Sequence, residues 1–136
     1  MKVNIAQITH EGRSFDVFDA SPYEFTMATR GKWEMIVANE KKVFSSNEIM
    51  KVSVKEIAIP AETCVVPCLY NRHPVGAVIS LMDSKGPKLI EENRVIDAVL
   101  VAAYQDGQVE IDDLLGVIHI FPVAFTRSAE KPTKIR

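Results

Sequence analysis

The residues best able to do chemistry lie close together, between positions 64 and 73 of a 136-residue chain. Cys64, Cys68 and His73 supply two thiols and an imidazole, the usual ligands of zinc and copper. Their spacing works against a shared ion: two cysteines four apart in an extended strand share a face but sit roughly 13 Å from one another, unless Pro67 turns the chain. Structural zinc sites also carry a second pair of ligands, which is missing here. A metal is therefore not expected, and the two cysteines read as small buried hydrophobes.

The neighbouring Asn71, Arg72 and His73, held before Pro74 in a polar turn, are a better candidate. An amide, a cation and a titratable imidazole within three positions suit recognition of a phosphate or carboxylate, so these three are the expected ligand-binding residues. The plain alternative is a solvated turn. Glu91 and Glu92 could act as a base or as Mg²⁺ ligands, but adjacent residues of a strand point to opposite faces, and surface charge explains them equally well. His119 sits in an apolar run and reads as a core or interface residue, His10 as part of a turn. No nucleophile elbow, phosphate-cradling glycine loop, dinucleotide fingerprint or His-Glu-x-x-His segment is present, so no catalytic residue is assigned and no cofactor is implied.

The elements that must position these groups read mainly as strands. Val and Ile together number 29 against 6 Leu, and two heavy atoms on Cβ favour a pleated surface over a helical turn. Residues 1–9 and 14–20 flank His10-Glu11-Gly12-Arg13, a hairpin signal. Tyr23, Phe25 and Met27 alternate, as do Trp33, Met35 and Val37. Across 49–59 the apolar phase slips between Val54 and Ile57, as a β-bulge would make it. Pro67 excludes its strand from a fully bonded central position. Residues 75–82 form a strand carrying Gly76. Over 91–105, Val95, Val99 and Ala103 fall at helical spacing, while the Val- and Ile-rich composition and Asp106-Gly107 suit a strand and hairpin, so both readings stand. Residues 115–125 are nearly all apolar and predict a strand buried on both faces. The basic residues 127–136 read as a flexible tail following a single domain over 1–126. Short strands punctuated about every ten residues, with at most one short helix, predict an all-β barrel or sandwich.

Composition narrows the partners. Apolar residues make up 47% and charged residues 25%, enough for a full core in one domain. A net charge of −2 gives no basic field for a polyanion, which makes nucleic acid an unexpected partner. There is no apolar run long enough to span a membrane as a helix, no secretory leader pattern and only two cysteines, so a cytoplasmic protein with reduced thiols is expected.

Two stretches resemble the β-clip barrel of the dUTPase and dCTP-deaminase group. The first runs from Trp33-Glu34-Met35-Ile36-Val37-Ala38 through Ile57-Ala58-Ile59-Pro60 to Val66-Pro67-Cys68-Leu69-Tyr70 and Gly76. The second runs from Ala98-Val99-Leu100-Val101 through Ile111-Asp112-Asp113-Leu114-Leu115-Gly116 to Pro122-Val123. The resemblance implies a distorted β-clip-like barrel, a strand over 91–105, and a homo-oligomer, by analogy a trimer, with residues 115–125 offering an apolar face to a neighbour. It does not carry the catalysis across. The group's Pro-Arg-Ser-Ser phosphate loop reads Pro67-Cys68-Leu69-Tyr70 here, and its water-activating Asp and Tyr have no match over 88–93. The whole chain, especially Pro67-Cys68, Arg72-His73-x-x-Gly76 and Asp113-Leu114-Leu115-Gly116-Val117, looks more like a family of small archaeal proteins of unknown function. The resulting expectation is a homo-oligomeric module binding a small anionic or nucleotide-like ligand. The alternatives are a nucleotide-processing hydrolase using Glu91 or Glu92, and a metal-binding protein using Cys64, Cys68 and His73.

Overall fold

A computed structural model describes residues 1–22, 25–27, 29–86, 88–125 and 132–136. Among them every regular element is a strand: β1 (Lys2–Thr9), β2 (Gly12–Asp19), β3 (Phe25–Met27), β4 (Lys32–Val37), β5 (Lys42–Phe44), β6 (Ile49–Ile59), β7 (Thr63–Pro67), β8 (Gly76–Met82), β9 (Arg94–Ala103), β10 (Gly107–Val109), β11 (Leu114–Phe125) and β12 (Thr133–Lys134). All pairings are antiparallel, and they fall into four sheets, β1-β2-β12, β10-β5, β6-β9-β8, and one in which β11 pairs with β3, β4 and β7. The all-β expectation holds.

Local chemistry accounts for most of the elements. The first hairpin turns at His10-Glu11, where Gly12 takes φ +108 and Thr9 Oγ1 donates to the Gly12 carbonyl at 3.1 Å. The phase slip in β6 is an irregularity against β9 between Ser53 and Ile57, which keeps Val52, Val54, Ile57 and Ile59 all buried. Pro67 closes β7, which bonds on one side only, to β11.

Residues 94–103 are strand, which removes the helical reading. β9 lies between β6 and β8 and buries side chains on both faces, so its apolar residues are nearly continuous and their spacing carries no helical meaning. Asp106-Gly107 does not make a hairpin onto β9. Instead Asp106 Oδ1 accepts the Ser46 N–H at 2.7 Å, and the chain passes on to pair β10 with β5. Of the strand expected over 23–29, Phe25–Met27 is described, while 23, 24 and 28 lie outside the described residues. Within the segment expected as a tail, β12 joins β2, and the Ile135 N–H donates to the Val17 carbonyl at 2.6 Å. Residues 127–131 lie outside the described residues.

The core fills the space between the β6-β9-β8 sheet and the sheet built on β11. Phe44, Ile36, Ile118, Val52, Val99 and Val109 are its largest fully buried members along with Val101, each contributing about 1.5–3 kcal/mol where a large aliphatic or aromatic side chain leaves water. Within β11, Leu115, Val117, Ile118 and Ile120 are buried by the packing of the chain itself, above and below the sheet. Its apolar run is an internal requirement, and the outward apolar face lies on other residues.

Candidate ligand cleft

The space where β8 faces β11 opens into a cleft of about 540 Å³. Ala77, Val78 and Leu81 of β8, Leu115 and Val117 of β11 and Ile36 of β4 give it aliphatic walls, with Ser80 adding a hydroxyl. Gly116 lines it as well. A methyl group there would stand 3.5 Å from Ile36 and 3.6 Å from Val78, so the bare backbone widens the cleft without being required by packing. The rim is the chain leaving β7, residues 67–72.

Arg72 is the cation of that rim. Its guanidinium lies 4.6 Å from the Tyr70 ring centroid and 6.0 Å from that of Trp33, and Nη2 donates weakly to Cys68 Sγ at 3.9 Å. Among the described residues no carboxylate pairs with it. A guanidinium carries five N–H donors, and among the described residues only the weak Sγ contact engages any of them. Tyr70 and Trp33 hold the charge through their ring faces while leaving those donors free.

Asn71 also lines the cleft, but its amide donates to the Tyr104 hydroxyl, which in turn donates to the His73 carbonyl at 3.0 Å. Asn71 Oδ1 accepts the His73 N–H at 3.2 Å. The amide thus ties the rim loop to the end of β9.

His73 does not line the cleft. It is buried, and both ring nitrogens are engaged: Nδ1 accepts the Val75 N–H at 3.2 Å, which leaves the proton on Nε2, and Nε2–H donates to Asp113 Oδ2 at 2.8 Å. Asp113 Oδ2 also accepts the Glu110 N–H at 2.9 Å. That main-chain bond first, and the His73 bond second, hold the Asp113 carboxyl below the ordinary carboxylate value. His73 therefore supports the loop, fixing Arg72 from behind.

The other groups noted in the sequence do not assemble. Cys64 and Cys68 are free thiols at opposite ends of the segment opening with β7, and among the described residues no three of His, Cys, Asp and Glu gather closely enough to hold an ion. Glu92 closes its own turn, accepting the Leu89 N–H at 3.0 Å. His119 stands on the same rung as Trp33 and Val66, its ring 6.4 Å from that of Trp33.

Four residues that shape this site escaped the sequence reading. Tyr70 lies only two positions before Arg72, and its aromatic ring beside a candidate cation was open to a reading from residue type alone. Trp33, Tyr104 and Asp113 come from strands and turns far away in sequence, and only the fold brings them in.

The described residues thus present an all-β chain with an apolar cleft and an arginine at its rim that no carboxylate engages. Residues 2–107 match the family described as a domain of unknown function, DUF22, and the chain belongs to it. It is 30% identical over 102 residues to the uncharacterised protein MJ0614 of Methanocaldococcus jannaschii, covering 75% of this chain and 78% of that one. No solved structure matches it significantly.

Proposed function

We propose that this protein is a binding module for a small ligand with an apolar body and one anionic group, the body lying between β8 and β11 and the anion meeting Arg72. The observation that carries this reading is the pairing of an aliphatic cleft of about 540 Å³ with a rim guanidinium whose partners among the described residues are two rings and a thiol. Pockets of this size and character suit small molecules. Asn71 and His73 act through the loop, the first by fixing it to Tyr104 and the second by fixing it to Asp113. A β-clip-like arrangement of the strands is the finer fold reading, supported by the chain-order resemblance and by two sheets facing one another across the core. A cytoplasmic location accords with the composition.

Isothermal titration of decanoate against decanol separates the two components of the site. A charge-assisted hydrogen bond contributes about 1.5–3 kcal/mol, so decanoate is expected to bind roughly 10- to 100-fold tighter than decanol, and Arg72→Gln to abolish the difference while leaving decanol binding intact. Equal binding of the two by the unaltered protein, or no binding of either, overturns the proposal.

A further inference from the structure

A face of large apolar side chains stands uncovered beside the cleft. On β4, Trp33 and Met35 point away from the core, opposite to the buried Ile36, and are 59% and 56% exposed. His119 of β11 and Val66 of β7 share the rung of Trp33, which makes the outer surface of three adjacent strands continuous at that level. Arg72, lying over both Trp33 and Tyr70, carries the surface onto the rim loop, where Tyr70 is 73% and Leu69 95% exposed. Ile79 of β8, which lines the cleft, is 54% exposed.

We infer that this face is covered by a second copy of the chain, which thereby supplies the outer wall of the cleft. Area is the first argument. With aromatic side chains offering about 150–250 Å² each and the aliphatic ones somewhat less, Trp33, Met35, Val66, Leu69, Tyr70 and Ile79 leave roughly 700 Å² in water. That exceeds the largest apolar patch of a typical monomer, about 300–600 Å², and approaches the ~800 Å² that each partner contributes to a standard stable interface. Self-complementarity is the second. None of these six side chains is charged, and the one cation set among them, Arg72, lies against the Trp33 and Tyr70 rings, so apart from that guanidinium the face is an apolar surface that a second copy can match. Continuity with the cleft is the third. Leu69, Tyr70 and Ile79 line it and also belong to the face, so whatever covers the face borders the ligand space. The covering stands independently of the proposed ligand, and only the completed wall rests on that reading.

Sedimentation of the full chain at micromolar concentration tests it. The unaltered protein is expected to sediment as a homo-oligomer. Met35→Lys and Val66→Glu, at exposed positions outside the cleft lining, are expected to weaken association by about 30-fold or more, because each sets an unpaired charge against an apolar surface. Val43→Lys, at a 67% exposed position on β5, is the control and is expected to leave association unchanged. Circular dichroism of each variant shows whether the strands persist. A monomeric unaltered protein, including one that instead binds phosphatidylcholine vesicles, overturns the inference, as does equal weakening by Val43→Lys and Met35→Lys. If the charged variants sediment as folded monomers and bind decanoate at least about tenfold more weakly, the second copy completes the cleft. If they bind it unchanged, the covering stands and the shared wall is refuted.

Discussion

Replacing His73 separates the two bonds that fix the rim loop. In His73→Ala the buried Val75 N–H loses its acceptor, at a cost of about 1–3 kcal/mol for an orphaned main-chain donor. The bond to the Asp113 carboxylate is lost as well. Asp113 is one-third exposed, so water replaces part of that bond, and its loss belongs at the lower end of the charge-assisted range, about 1.5 kcal/mol. With the space the imidazole leaves, the expected destabilisation is about 3–5 kcal/mol, a large share of the roughly 7–20 kcal/mol expected for a domain of this length. Asn places an amide oxygen near the position of Nδ1, keeps the Val75 bond and gives up Asp113, so His73→Asn is expected to cost about 1.5–2 kcal/mol. Gln places its amide nitrogen near Nε2 and does the reverse, leaving the deeper donor orphaned. Urea unfolding of the three variants should therefore rank them Asn, Gln, Ala from mildest to most severe. An alanine variant within about 1 kcal/mol of the unaltered protein, or an asparagine variant no milder than alanine, would refute the claim that the imidazole is a structural bridge.

Two further perturbations follow from the same geometry. A Cβ at Gly76 would lie 2.2 Å from the Ala102 carbonyl oxygen and 2.8 Å from the Ala103 Cα, both backbone atoms of the neighbouring strand, so Gly76→Ala must pry β8 from β9. Overpacking of this kind costs at least about 1–3 kcal/mol, and urea unfolding should show it. Asp113 titrates below its ordinary value of 3.8, so the stability it contributes is fully present above that pH and is lost as pH falls through the lower folded-state value. The stability gap between the unaltered protein and Asp113→Asn, measured by thermal unfolding, should accordingly be widest near neutrality and narrow below about pH 4, and a gap constant with pH would contradict the assignment.

Local signals made much of the strand order legible. The Gly12 hairpin, the slip of phase before Ile57 and the limit that Pro67 sets on β7 are each properties of a few adjacent residues. Residues 91–105 were ambiguous for a physical reason: β9 is buried on both faces, so its apolar positions lose the alternation that marks a half-exposed strand. The candidate site was half legible. Asn71, Arg72 and His73 could be singled out by residue type, but their different roles could not, because the partners that separate them, Tyr104, Trp33 and Asp113, lie more than 30 positions away.

What the sequence determined by itself was the class: β-branched excess and turn punctuation specify strands. What only the tertiary structure decided was which side of each strand meets water and what each polar group meets. The apolar residues Leu115, Val117, Ile118 and Ile120 of β11 are buried within the chain, while Trp33 and Met35, ordinary members of an alternating strand in sequence, are left facing outward. Burial and long-range pairing are properties of the assembled sheets, and local sequence does not carry them.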